Sequence, residues 1–146
     1  MTRAEVRAHI EAIGIVPAIR VASSEDARFA AETVYDSGIA TAEITMTTPD
    51  AIGVISRLAR DLPDLVVGAG TVLDVDTARR CLDAGALFLT STGLVLDVVE
   101  FALANDVAVF PGALSPTEVI AAWRTGATSS RSSHARQTAA TATSGR

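Results

Sequence analysis

Glu43 is the residue in this sequence best placed to do chemistry. It stands in A-E-I-T-M-T-T (42–48), a carboxylate inside an otherwise apolar and hydroxyl-bearing run. Burying a carboxylate without a partner is costly, and desolvation raises its pKa toward neutrality, the range a general acid/base needs. Two plainer readings stand beside that one: a side chain pointing to solvent, or an ion pair with Arg20. A second stretch, V-V-G-A-G-T-V-L (66–73), carries an apolar run into two glycines and a hydroxyl residue. Glycine there admits close approach of a backbone to a ligand, and Thr71 offers a small donor and acceptor. The same pattern is also ordinary strand-to-helix punctuation. Thr47, Thr71 and Thr92 all fall at strand exits, where each can donate to a carboxylate or phosphate or serve as a turn residue or helix cap. Arg20, near the end of an earlier apolar run, either solvates a rim or holds an anion.

These residues need elements to position them, and the hydrophobic pattern supplies a regular series. Residues 3–13, with Val6, Ile10 and Ile13 between charges, read as a short amphipathic helix ended by Gly14. His9 falls on its polar side, with nothing to mark it as a ligand. Apolar runs start near residues 15, 42, 65, 87 and 107. The first, I-V-P-A-I-R-V (15–21), is continuous, as expected of a strand buried on both faces of a parallel sheet.

Helical stretches separate the strands. Ser23 opens one that runs to Asp36, and Pro49 is placed at the first position of the next. Asp76 to Asp83 and Leu94 to Ala104 form two more. Ser115-Pro116-Thr117-Glu118 is a capping box that launches the last. Trp123 falls at helical spacing from Val119 and Ile120 and reads as core. Strands alternating with helices imply parallel pairing and an α/β fold, either part of a (β/α) barrel or an open doubly wound sheet. In both, ligands meet the C-terminal ends of the strands.

Composition sets bounds on function. The chain has 146 residues and a net charge of −5. Residues 1–124 carry about −8 and the remainder +3, so an acidic body argues against nucleic acid as a partner. No apolar run approaches the roughly 18 residues that span a bilayer, and the N-terminus lacks a signal-peptide pattern. Cys81 is the single cysteine, which excludes an internal disulfide and reads as a packing residue in a cytoplasmic protein. From Thr125 to the end there is no Leu, Ile, Val, Phe, Met, Tyr or Trp. The expected organisation is therefore a partial barrel over 1–124 and a disordered tail over 125–146.

Five strings, V-P-A-I-R (16–20), A-E-I-T-M-T-T (42–48), V-G-A-G-T-V-L (67–73), T-S-T-G-L (90–94) and F-P-G-A-L-S-P-T-E (110–118), together resemble the 2-keto-3-deoxy-6-phosphogluconate (KDPG) / 4-hydroxy-2-oxoglutarate (KHG) aldolase family. The resemblance is collinear over roughly residues 13–127. It implies a class I aldolase on a TIM (β/α)8 barrel, usually a homotrimer, that cleaves a phosphorylated 2-keto acid to pyruvate and an aldehyde without metal or cofactor. In that family a lysine on the sixth strand forms a Schiff base with the C2 carbonyl. The resemblance makes Glu43 the proton shuttle and Thr71 a ligand of the pyruvyl carboxylate.

Three departures qualify what it implies. Thr47 stands where many members have a carboxylate-binding arginine, and Ser91-Thr92-Gly93 replaces a common S-P-G. All 12 basic residues are arginine, so no lysine is present to form an imine. The expectation is a gene shifted out of frame or truncated after about codon 127, a chain without substantial Schiff-base activity, and a half-barrel of about five βα units whose first and fifth strands are bare, self-associating edges. The alternative is a non-catalytic binding module for phosphorylated acids, or an assembly subunit.

Overall fold

The computed structural model describes residues 1–128 and the backbone of 131–132. The elements run α1 (Arg3–Ile13), β1 (Ala18–Ile19), α2 (Ser24–Asp36), β2 (Thr41–Thr45), α3 (Ala51–Asp61), β3 (Val66–Gly70), α4 (Val75–Asp83), β4 (Phe88–Thr90), α5 (Leu96–Ala104), β5 (Ala108–Phe110), β6 (Gly112–Ala113), α6 (Pro116–Arg124) and β7 (Arg131–Ser132). Strands β1 to β5 form one parallel sheet in sequence order. Each strand returns to the sheet through a helix, because parallel neighbours cannot be joined by a tight turn. The sheet is part of a (β/α) barrel and, among the described residues, is not closed.

The two sheet faces are packed differently. Ile19, Ala42, Ile44, Val67, Ala69, Leu89 and Val109 face the crossover helices, whose Ala27, Ala31, Val54, Ile55, Leu58, Ala78, Val98, Val99 and Ala102 complete one buried cluster. Cys81 belongs to that cluster, 3.5 Å from the Met46 sulfur, and burial pushes its thiol up to about 11. On the other face Val66, Phe88 and Ala108 pack with Val6, and Ile10 and Phe110 flank them, so α1 covers the N-terminal end of the strands. His9 helps fix α1 there by donating from Nε2 to the Ala40 carbonyl at 2.9 Å.

Three expectations change. β1 is confined to Ala18–Ile19 instead of residues 15–21. It pairs on one side only, and Pro17 has no N–H to offer, contributing just its carbonyl to Glu43 N at 2.8 Å. Pro49 does not open α3. Thr48 N closes a turn on Thr45 O at 2.9 Å, and Asp50 takes a left-handed conformation (φ 49°), so the helix starts at Ala51. Trp123 is 81% exposed and is not core; α6 buries only Ala122, and its Val119, Ile120 and Trp123 side chains are exposed.

The start of the stretch read as a tail is placed. Thr128 N donates to Val109 O, and Thr128 Oγ1 accepts from Val109 N, both at 3.1 Å. The outer edge of β5 is thus met by the chain itself at that point. Further on, β7 pairs in parallel with β6. The rest of 125–146 lies outside the described residues.

Three helices begin on carboxylates whose pKa is held below the usual range by cap hydrogen bonds. In α1 the Thr2 N–H binds Glu5, in α4 the Thr77 N–H binds Asp74, and in α6 the Leu114 and Ser115 N–H groups bind Glu118. A carboxyl whose folded pKa is depressed contributes its full stabilisation above its unfolded pKa and loses it as pH falls through the folded value. The urea midpoint is therefore expected to hold down to about pH 5 and to fall below about pH 4. A midpoint that rises on acidification from pH 6 to 3 would show that the caps do not contribute.

Candidate active site

The register places the chemistry. Ala18 pairs with Glu43, Glu43 with Gly68, Gly68 with Phe88 and Phe88 with Ala108, which makes one row across the sheet. Residues two further along form the next row toward the strand ends, where Thr45 pairs with Gly70 and Thr90 with Phe110. Paired residues of a parallel ladder share a face, so both rows look to the side opposite the crossover helices.

Glu43 is 2% exposed, which overturns the reading of a solvated side chain. Its carboxylate lies beside Gly70, one row nearer the strand ends than its own Cα. Arg20 is exposed and turns to Thr71, its Nη2 reaching Thr71 Oγ1 at 3.5 Å. Because Thr71 accepts in that contact, its hydroxyl proton remains available to a ligand. Thr71 also holds a left-handed backbone (φ 61°), a costly conformation for a β-branched residue that is typical of ligand-binding turns.

Thr47 is exposed just past β2, 3.0 Å from Thr45 Oγ1. Thr45 contacts the Ile19 carbonyl at 3.2 Å and has one proton, so donating there makes Thr47 the donor in the Thr45 pair. A ligand that takes a hydrogen bond from Thr47 must turn that hydroxyl away from Thr45. Thr92 is exposed after β4, beside the turn in which Ser91 Oγ donates to Gly93 O at 2.6 Å. The structure thus brings Glu43, Arg20 and Thr71 to one strand-end region, links Thr47 to it through Thr45, and sets Thr92 one strand further along.

Sequence reasoning singled out Gly70 as a point of close approach but neither Thr45 nor Thr90. All three are buried and share Glu43's face. The signal was available for Thr45, two residues from Glu43 in a strand of period 2. Among the described residues, no group of three or more His, Cys, Asp or Glu side chains is arranged to hold a metal ion. No helix among them is long and apolar enough to cross a membrane.

The parallel βα sheet, with a buried carboxylate and an Arg–Thr pair at its strand ends, has the architecture of part of a (β/α) barrel, a fold in which ligands meet those ends. The family model for KDPG and KHG aldolase matches residues 6–135, and the chain belongs to that family of aldehyde-forming lyases. The 2-dehydro-3-deoxy-phosphogluconate aldolase of Pseudomonas aeruginosa is 35% identical over 112 residues, which are 77% of this chain and 51% of the relative.

Two solved relatives share the fold. The 2-keto-3-deoxy-6-phosphogluconate aldolase of Zymomonas mobilis ZM4 with 3-phosphoglycerate superposes with a TM-score of 0.76 at 28% identity, covering 86% of this chain and 59% of that one. KDPG aldolase from Legionella pneumophila, with pyruvate captured as a covalent carbinolamine intermediate, gives 0.75 at 30% identity, covering 83% and 59%. The chain spans about half the length of the curated relatives it matches.

Proposed function

We propose that this chain carries the half of a KDPG/KHG-type aldolase site that binds a small 2-keto acid and moves its proton. Arg20 and Thr71 receive the carboxylate, Thr47 and Thr92 supply further hydroxyl donors at the rim, and Glu43 is the proton-transfer group beneath them. The whole-protein reaction of this family is cleavage of a 2-keto-3-deoxy sugar acid phosphate, or a related 2-keto acid, to pyruvate and an aldehyde. These 146 residues lack the lysine that would make the imine, so the chain binds the keto acid without turning it over. The observation that carries the reading is the buried carboxylate of Glu43 beside Gly70, the residue that precedes Thr71, whose hydroxyl meets Arg20.

The domain reading is a partial barrel over 1–124 that Thr128 joins through its contact with β5, followed by the rest of the Ser/Thr/Ala/Arg-rich stretch 125–146, acting in the cytoplasm. The second reading, an assembly subunit, is favoured by the exposed apolar face of α6.

Calorimetric titration with pyruvate tests the binding proposal. Binding with a Kd in the millimolar range is expected, about −4 kcal/mol. Arg20→Ala is expected to weaken it at least tenfold, since a hydrogen bond to a charged group contributes about 1.5–3 kcal/mol. Equal heats for the native chain and Arg20→Ala would sink the proposal.

A further inference from the structure

Strand β3 reads V-V-G-A-G, and its two glycines need an explanation. Neither Gly68 nor Gly70 has a left-handed φ, so the backbone accepts any residue there. Glycine within a strand weakens it, and its presence points to something approaching closely. A Cβ built on Gly68 would meet the Phe88 ring, with Cδ2 at 2.5 Å. A Cβ built on Gly70 would meet Glu43, with Cδ at 2.6 Å, Cγ at 2.7 Å and Oε1 nearer still. The two glycines hold space for side chains from opposite neighbours, Phe88 of β4 and Glu43 of β2.

We propose that Gly70 is a positioning residue for Glu43. In register Glu43 stands opposite Gly68, while Gly70 stands opposite Thr45, one row nearer the strand ends. The absent side chain at Gly70 lets the carboxylate rise from its own row into the next. There it lies beside the residue that precedes Thr71, whose hydroxyl meets Arg20. The assignment rests on reading Glu43 as the proton-transfer group, and it adds what places that group within reach of a ligand held by Arg20 and Thr71.

The two glycines differ in what a methyl group would displace. At Gly68 it meets a rigid, fully buried ring. At Gly70 it meets the Cγ and carboxyl group of a flexible side chain. Gly70→Ala should therefore leave the fold standing and drive the carboxylate from its place.

Carboxyl footprinting of the full chain tests this without any ligand. Water-soluble carbodiimide and an amine label accessible carboxyls, and peptide mass mapping reads the rate at each site. In the native chain Glu43 should label at least tenfold more slowly than exposed Glu11 and Glu25. In Gly70→Ala its rate should rise several-fold while Glu11 and Glu25 keep theirs.

An unchanged rate at Glu43 in Gly70→Ala would overturn the proposal. So would an equal rise at Glu11, Glu25 and Glu43, because the glycine would then serve the fold as a whole. No pyruvate enters the experiment, so failure of the keto-acid reading would appear separately, in the calorimetry of the native chain.

Discussion

Borohydride reduction of this 146-residue chain in the presence of pyruvate is expected to leave every internal residue at its native mass. An imine requires an unprotonated primary amine that attacks the C2 carbonyl and expels water, and borohydride then fixes the adduct. The sequence offers no such side chain: its 12 basic residues are all arginine. A guanidinium stays protonated and delocalised and does not act as an imine-forming amine. The α-amino group is the remaining primary amine, and it lies at the start of α1, at the opposite end of the strands from Glu43 and Thr71.

The relative from Legionella pneumophila captures pyruvate as a covalent carbinolamine, so the comparison is direct. A relative carrying that chemistry should gain the reduced pyruvyl mass, and this chain should gain it at most on Met1. Peptide mass mapping decides the matter. A reduced adduct on any internal peptide would show that another nucleophile replaces the lysine and would return the chain to the active enzymes. With no internal adduct but a calorimetric heat, binding is separated from turnover.

Much of this arrangement was legible before any coordinates, for local reasons. Helix α1 was expected over residues 3–13 and spans Arg3–Ile13, because Thr2 and Glu5 form a capping box and Gly14 ends the helix in a left-handed conformation. The Ser115 capping box with Pro116 behind it fixed α6 in the same way. Parallel order followed from the steady alternation of strand and helix.

Failures came where tertiary context decides. A periodic apolar face on α6 predicts burial only if another element covers it, and Trp123 is exposed. Pro49 satisfies the rule for a first helical residue, yet the turn closed by Thr48 N on Thr45 O takes precedence. At the site, Glu43's carboxylate was legible as anomalous in its strand. Its place beside Gly70 was not, since that depends on strand register, which propensity does not encode.

Phe88→Ala is the substitution expected to cost the most stability, and its partner across the strand makes the expectation specific. Phe88 is fully buried, edge-on to Phe110 at 5.9 Å between ring centroids, and lies over Gly68. Truncating a buried Phe costs about 3–5 kcal/mol, a large fraction of the roughly 5–15 kcal/mol that holds a domain together. With m near 1–3 kcal/mol/M for a small protein, the urea midpoint should drop by about 1 M or more. Phe29→Ala, on a ring that is 69% exposed, should move it little, within about 0.5 kcal/mol.

The row neighbours of Phe88 cannot fill the gap, because they are Gly68 on one side and Ala108 on the other. Gly68→Ala should therefore change sign with its background. In the native chain the added methyl group meets the Phe88 ring and destabilises. In Phe88→Ala it enters the vacated space at a backbone conformation alanine accepts, and it should recover about 0.4–1 kcal/mol from the unfolded-state term alone. Additive effects of the two substitutions would mean that Gly68 and Phe88 do not share one space, and the packing of the sheet's inner face would need another account.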